Sequence, residues 1–190
     1  MSAVQRFSRG ALPATPWKNG GGSTREIACW PPGADLASFD WRISIATIGQ
    51  GGPFSVFEGI DRHIMLLDGD GVQLRSHDGT VDHRLDTPHR PFAFSGDMAL
   101  DCTLLGGRSN DFNVMTRRGR CRAELQLLAA AAEVGACRHG LLFALRGRWL
   151  LAPGEAIAAD EGVWWADASR AWQPAPDSAD ALLLAVRIVD

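Results

Sequence analysis

Short apolar runs separated by glycine, proline and aspartate follow one another along most of the chain, and helical periodicity is scarce. That pattern predicts an all-β protein. In WRISIATI (41–48), Trp41, Ile43, Ile45 and Thr47 alternate with Arg42, Ser44, Ala46 and Ile48. If the first set packs into a wall, Arg42 and Ser44 face the other way. In DFNVMTR (111–117), Asp111, Asn113 and Met115 share one face, and Phe112 and Val114 the other. HIMLLDGDGVQLRS (63–76) reads as strand, tight turn at Asp68-Gly69-Asp70-Gly71, then strand. FAFSGD (92–97) and ALDCTLL (99–105) predict further strands. LQLLAAAAEVGA, from Leu125, fits helix by Ala and Leu propensity and strand by its flanks.

The second half repeats the plan of the first. RHIMLLDGDGVQL from Arg62 and GLLFALRGRWLLA from Gly140 both run apolar, glycine, apolar. PFAFSGDMAL parallels EAIAADEGVWWA, and the chain closes on ALLLAVRIV, a buried-strand pattern. Two related β-barrels or sandwiches in one chain would produce this repetition. No Ser/Pro-rich linker divides them, and paired sheets would cover each other's open edges, so one compact unit is expected.

Composition narrows the function. With 190 residues, 46% apolar and 22% charged, the chain has length for a sizeable core. The net charge of −3 and the interspersed arginines argue against a nucleic-acid partner. No apolar stretch reaches the roughly 18 residues of a membrane span, and the N-terminus lacks a signal-peptide core, so a cytoplasmic location without membrane association is expected. Cys29, Cys102, Cys121 and Cys137 form no CxxC pair and read as free thiols. His63, His77, His83, His89 and His139 make no HxH, HxxxH or HExxH motif, so neither a metal nor another cofactor is expected. The glycines at 20–22 lack both phosphate-loop and dinucleotide-binding order.

What remains is a set of polar groups inside strands. PWKNGGGSTREIA contributes Trp17, Lys18, Asn19, Gly20, Thr24 and Arg25. Arg42 and Ser44 come from WRISIA, and GPFSVFEGIDRH contributes Phe54, Ser55, Phe57, Arg62 and His63. Asp111 and Asn113 complete the set. Buried Arg or Asp is costly unless paired, so such groups converge either in a structural ion network or in a pocket for a polar ligand. Arginine grips carboxylates through two parallel hydrogen bonds, which makes a small carboxylate the most economical ligand.

PWKNGGGSTREIA, FDWRISIATI, GPFSVFEGIDRHIMLLDGDGVQL, FAFSGD and DFNVMTRRG, in that order, closely resemble the HutD/Ves family. The resemblance is strong over residues 12–120 and follows only the general pattern beyond. It implies a cupin-superfamily β-barrel in a double (bicupin) arrangement, with a first barrel over 1–120 and a degenerate second barrel over 121–190. It also implies a regulatory, non-catalytic protein of histidine utilisation that binds an intermediate such as urocanate or formylglutamate. Where metal-binding cupins carry two histidines and a glutamate, Asp61-Arg62-His63 stands here, so the likeness carries over fold without metal.

Within the family segment, Lys18, the only lysine of the chain, reads as a cation on a glycine-rich loop closing over the pocket mouth. Two other functions compete. One is a metal-independent cupin enzyme, an isomerase or hydrolase using His63 with Asp61 or Asp111. The other is a protein-interaction module in stress response. A homodimer is compatible with all three.

Overall fold

A computed structural model describes residues 4–190 of the protein. Among the described residues, the regular elements are strands and one 3-10 turn, Arg9–Ala11. None is a helix long and apolar enough to cross a membrane. The chain divides into two units. One spans Pro13–Cys121; the other joins Arg122–Asp190 to the described residues up to Leu12. The described N-terminal residues thus group with the C-terminal unit. Strand Gln5–Ser8 pairs with Glu161–Trp165, not with residues 13–121. A four-residue edge strand carries no sequence signal for its distant partner.

The Pro13–Cys121 unit has a six-stranded sheet in the order Ala14–Pro16, Gly22–Trp30, Trp41–Ile48, Ser109–Arg117, Ile60–Gly69 and Phe92–Ser95. Its four-stranded partner runs Gly52–Phe54, Leu100–Leu104, Val72–Ser76 and Asp82–Leu85. All pairings are antiparallel. Ala46, Ile48, Ile64 and Leu66 of the first sheet pack against Val72, Leu74, Leu85, Leu100 and Cys102 of the second. The side of the six-stranded sheet that carries these residues is therefore the interior face. Trp41, Ile43, Ile45, Phe112 and Val114 lie on the opposite face and are also buried, which explains the near-continuous apolar runs of its central strands.

The strands flanking the predicted turn at 68–71 do not pair with each other. Ile60–Gly69 and Val72–Ser76 belong to different sheets, and the chain crosses between them at Asp70-Gly71. Gly69 (φ 97°) and Gly71 (φ 82°) adopt the left-handed region, and a Cβ on either would lie 2.1 Å from a carbonyl oxygen, of Arg108 and Leu85 respectively. Glycines that look like hairpin punctuation here serve a sheet-to-sheet crossing.

The other unit repeats this device. His139–Arg146 lies in the sheet ordered Gln5–Ser8, Glu161–Trp165, His139–Arg146, Leu182–Val189, Arg122–Leu128, while Arg148–Ala152 pairs in a separate three-stranded sheet. Its core is aromatic and aliphatic, with Trp149, Trp165, Trp172, Leu142 and Leu183 clustered together. The stretch left open between helix and strand becomes strands Arg122–Leu128 and Val134–Cys137. The first of these pairs along its whole length with Leu182–Val189, a ladder that overrides the helical propensity of its Leu residues.

Candidate functional site

Antiparallel register sets the site. Residues directly opposite each other project to the same face, so the interior of the Pro13–Cys121 unit can be described row by row. One row is Thr24, Ala46, Asp111 and Leu66. The next holds Glu26, Ser44, Asn113, Ile64 and Phe92. The third holds Arg42, Met115, Arg62 and Phe94. Together they place a polar band beside the apolar cluster of Ala46, Ile64 and Leu66. On the band's far side Met115 packs with Phe39 and Ile60.

Arg62 is the centre of the band. It is 7% exposed, and its guanidinium lies over three rings: Phe54 at 4.9 Å, Phe57 at 5.4 Å and Phe94 at 4.9 Å. Nη1 donates to the Ser55 carbonyl and Nη2 to Asn113 Oδ1, both at 3.3 Å. Its buried Nε has no partner among the described residues. Both acceptors are neutral, and no carboxylate pairs with Arg62 among the described residues. Burial, and secondarily the charge of Arg42, pushes its pKa down to about 10. Asn113 is held in turn by its amide, which donates to the Asp111 carbonyl at 3.2 Å.

Arg42 is in the opposite condition. Its Nε donates to Glu26 Oε2 at 2.7 Å, and the Glu26 side chain is half exposed. Ser44 is buried between these groups in register with Asn113 and Glu26. One row away, Asp111 is fully buried. Its Oδ1 accepts from the Ser109 hydroxyl at 3.0 Å, while Oδ2 has no partner among the described residues. Burial raises its carboxyl to about 7. Cys102 lies near enough that Asp111 adds to the burial effect pushing that thiol up to about 12, which leaves the sulfur unreactive.

The loop at 17–22 is closed by hydrogen bonds of its own. The Gly20 amide donates to the Trp17 carbonyl at 3.0 Å, the Trp17 amide to the Gly22 carbonyl at 2.9 Å, and the Gly21 amide to Asn19 Oδ1 at 3.0 Å. Trp17 packs onto the apolar cluster and its indole N–H donates to Thr24 Oγ1 at 2.8 Å. Gly22 permits this: a Cβ there would lie 2.2 Å from the Thr47 carbonyl and 2.9 Å from the Trp17 ring. Gly20 takes φ 71° at the end of the turn, and Lys18 is exposed at its tip. The glycine-rich segment forms a turn that seats Trp17 against the apolar cluster and leaves Lys18 exposed.

Two candidate residues leave the site. Arg25 lies between Thr24 and Glu26 and so projects to the opposite face, in register with Ala14 and Ile45. His63 alternates with Arg62 and Ile64 and is in register with Val114 and Ala93, again on the opposite face. Burial holds its imidazole below the usual value. His63 and Asp111 are therefore on different sides of the sheet, which removes that acid–base pair; Asp61, on the side of His63, is held by Arg118 at 2.7 Å. Conversely, Phe94 belongs to the interior band and is not among the residues the sequence indicates, while Glu26, a polar residue of PWKNGGGSTREIA, joins the band through Arg42. The alternation of FAFS could have suggested Phe94, but only strand register puts it across from Arg62.

The row Arg42–Met115–Arg62 presents two guanidiniums and a thioether to the interior, a set of groups that does not suit a divalent cation. Among the described residues, no group of three or more His, Cys, Asp or Glu could hold a metal ion.

The architecture is all-β and cupin-like. It superposes on oxalate decarboxylase from Lactobacillus farciminis with a TM-score of 0.61 at 8% identity, over 95% of this chain and 85% of that one, a likeness of fold alone. The chain belongs to the HutD family, whose sequence profile matches residues 9–184. Protein Ves from Cronobacter sakazakii is 40% identical over 167 residues, covering 87% of this chain and 89% of that protein. Among solved structures, a conserved protein of unknown function, PA5104 from Pseudomonas aeruginosa PAO1, is similar with TM-score 0.87 and 35% identity over the full length of both chains. HutD from Pseudomonas fluorescens SBW25, in a formate condition, gives TM-score 0.83 and 30% identity, covering 99% of this chain and 100% of that one.

Proposed function

We propose that the protein is a non-catalytic, small-molecule-binding regulatory protein of histidine utilisation, and that its ligand is a small carboxylate such as urocanate or formylglutamate held at Arg62. Membership of the HutD family and the likeness to a HutD structure support the pathway assignment. The carboxylate assignment rests on one observation: among the described residues, Arg62 is a buried cation bonded only to neutral acceptors, with an unpartnered Nε and aromatic rings around it. A guanidinium in that condition lacks an anion, and a carboxylate would supply both the charge and the missing acceptor. Phe54, Phe57 and Phe94 would pack on a flat, conjugated acid such as urocanate.

Calorimetric titration of the purified protein with urocanate, formylglutamate and the carboxamide of urocanate tests this. Saturable binding of an acid, lost for the amide, is expected. Absence of binding by both acids at millimolar concentration would sink the proposal. The pathway half is tested separately by deleting the gene and measuring growth on histidine as nitrogen source; unchanged growth and histidine consumption would count against it.

A further inference from the structure

Strand Arg122–Leu128 has an open edge of a kind the rest of the protein avoids. It pairs along its length with Leu182–Val189 on one side and, among the described residues, with no strand on the other. Every other edge strand among the described residues is four residues or shorter, and Ala14–Pro16, Gly52–Phe54 and Ala175–Pro176 each contain a proline. Short length and proline both keep an edge from recruiting another strand. Arg122–Leu128 has seven residues and neither proline nor glycine. Its two charges are compensated within the chain: Arg122 Nη2 donates to Glu124 Oε1 at 3.0 Å, and Arg187 Nη1 to Glu124 Oε2 at 2.8 Å. Beyond them Leu125, Gln126 and Leu127 are uncharged, with Gln126 exposed and Leu127 37% exposed.

The Pro13–Cys121 unit shows what this edge lacks. There Ile60–Gly69, which leads into the glycine crossing, pairs with Ser109–Arg117, and that strand pairs with Trp41–Ile48. The far side of Trp41–Ile48 is covered by the nine-residue strand Gly22–Trp30. In the other unit His139–Arg146, Leu182–Val189 and Arg122–Leu128 hold the same three places in the same order. The fourth place, that of Gly22–Trp30, has no occupant among the described residues. We propose that Arg122–Leu128 of a second copy fills it, antiparallel about a two-fold axis at Leu125, joining the five-stranded sheets of two copies into one.

A two-fold interface must complement itself, and this edge does. With Leu125 opposite the partner's Leu125, Leu127 meets the partner's Ala123 on the same face. On the other face Glu124 meets the partner's Gln126 and Arg122 the partner's Leu128, so no like charges stand directly opposite each other. A seven-residue ladder lies at the low end of specific interfaces, below about 1,200 Å², so the dimer is reversible and concentration-dependent.

Sedimentation velocity of the full chain over a micromolar concentration series, with hydrogen exchange on the same samples, tests this. A mass rising towards that of two chains is expected, with amide protection gained within residues 122–128. Leu125→Lys and Leu125→Glu each set like charges against each other at the two-fold position, and each should weaken the dimer at least about tenfold. Mixing the two variants in equal amounts should restore it, because lysine then faces glutamate. Melts show whether each variant is folded; if these are not, Leu127→Lys, at an already exposed position, should weaken the dimer in the same way. A parent that stays monomeric throughout the series overturns the inference, whatever else the edge binds. So does a dimer that the lysine variants leave intact, a mixture that stays apart, or protection gained only outside residues 122–128.

Discussion

Arg62→Met separates function from stability at this site. The substitution keeps an unbranched stem among Phe54, Phe57 and Phe94, where a thioether packs well, and removes the charge. A pKa pushed from 12.5 down to about 10 means that the folded interior disfavours the charged guanidinium by about 3 kcal/mol, at 1.36 kcal/mol per unit. Against that relief stand two hydrogen bonds of 3.3 Å, long enough to be weak, and the loss of a partner for Asn113 Oδ1, which costs about 1–3 kcal/mol. Relief and loss nearly offset. Denaturant melts should therefore place Arg62→Met within about 1 kcal/mol of the parent or above it, contrary to the usual result for a buried residue. Ligand binding should behave otherwise: losing a charge-assisted pair costs about 3 kcal/mol or more, a factor of at least about 100 in Kd. Calorimetric titration with urocanate measures this on the same samples. A variant destabilised by more than about 3 kcal/mol would show that the guanidinium is a structural cation, since that is the cost of breaking a satisfied buried pair. Undiminished binding would show that the carboxylate sits elsewhere.

Asp111 supplies a pH signature. Its folded value of about 7 lies above the unfolded 3.8, so its contribution is neutral at low pH and becomes a penalty as pH rises from about 4 to 7; Asp111→Asn should flatten that fall and be the more stable protein at pH 8, by at most about 4 kcal/mol. Urea melts between pH 4 and 8 check it, and identical pH slopes for both proteins would refute it. Gly22→Ala should cost about 2–3 kcal/mol and shift tryptophan fluorescence, because the added methyl displaces either the Thr47 carbonyl contact or the Trp17 ring. Lys18→Met should leave the melt within about 0.5 kcal/mol, the range for an exposed position away from packing or caps.

Much of the architecture was legible because it depends on side-chain period. Strand Trp41–Ile48 has the bounds its alternation indicates, and Asp111, Asn113 and Met115 share a face as the two-residue repeat requires. The same repeat, applied strictly, separates Arg62 from His63 and Thr24 from Arg25, so the four side chains cannot all face one interior. The likeness of the two halves, weak as sequence, reappears as one strand-crossing device at Gly69–Gly71 and again at Gly147.

Other features depend on which strands meet, and no local pattern encodes that. Asp-Gly repeats at 68–71 favour a turn in any context, but whether the two flanking strands pair or part is decided by competing ladders with Ser109–Arg117 and Leu100–Leu104. Gln5–Ser8 and Glu161–Trp165 become neighbours only through such long-range pairing. Arg42 and Arg62 read as similar strand arginines in the chain; register gives one a carboxylate and the other Phe94 and Asn113. Side-chain type and period set which residues face inward. Charge balance at the site arises from the cross-strand neighbour of each residue, a long-range property of the folded sheet.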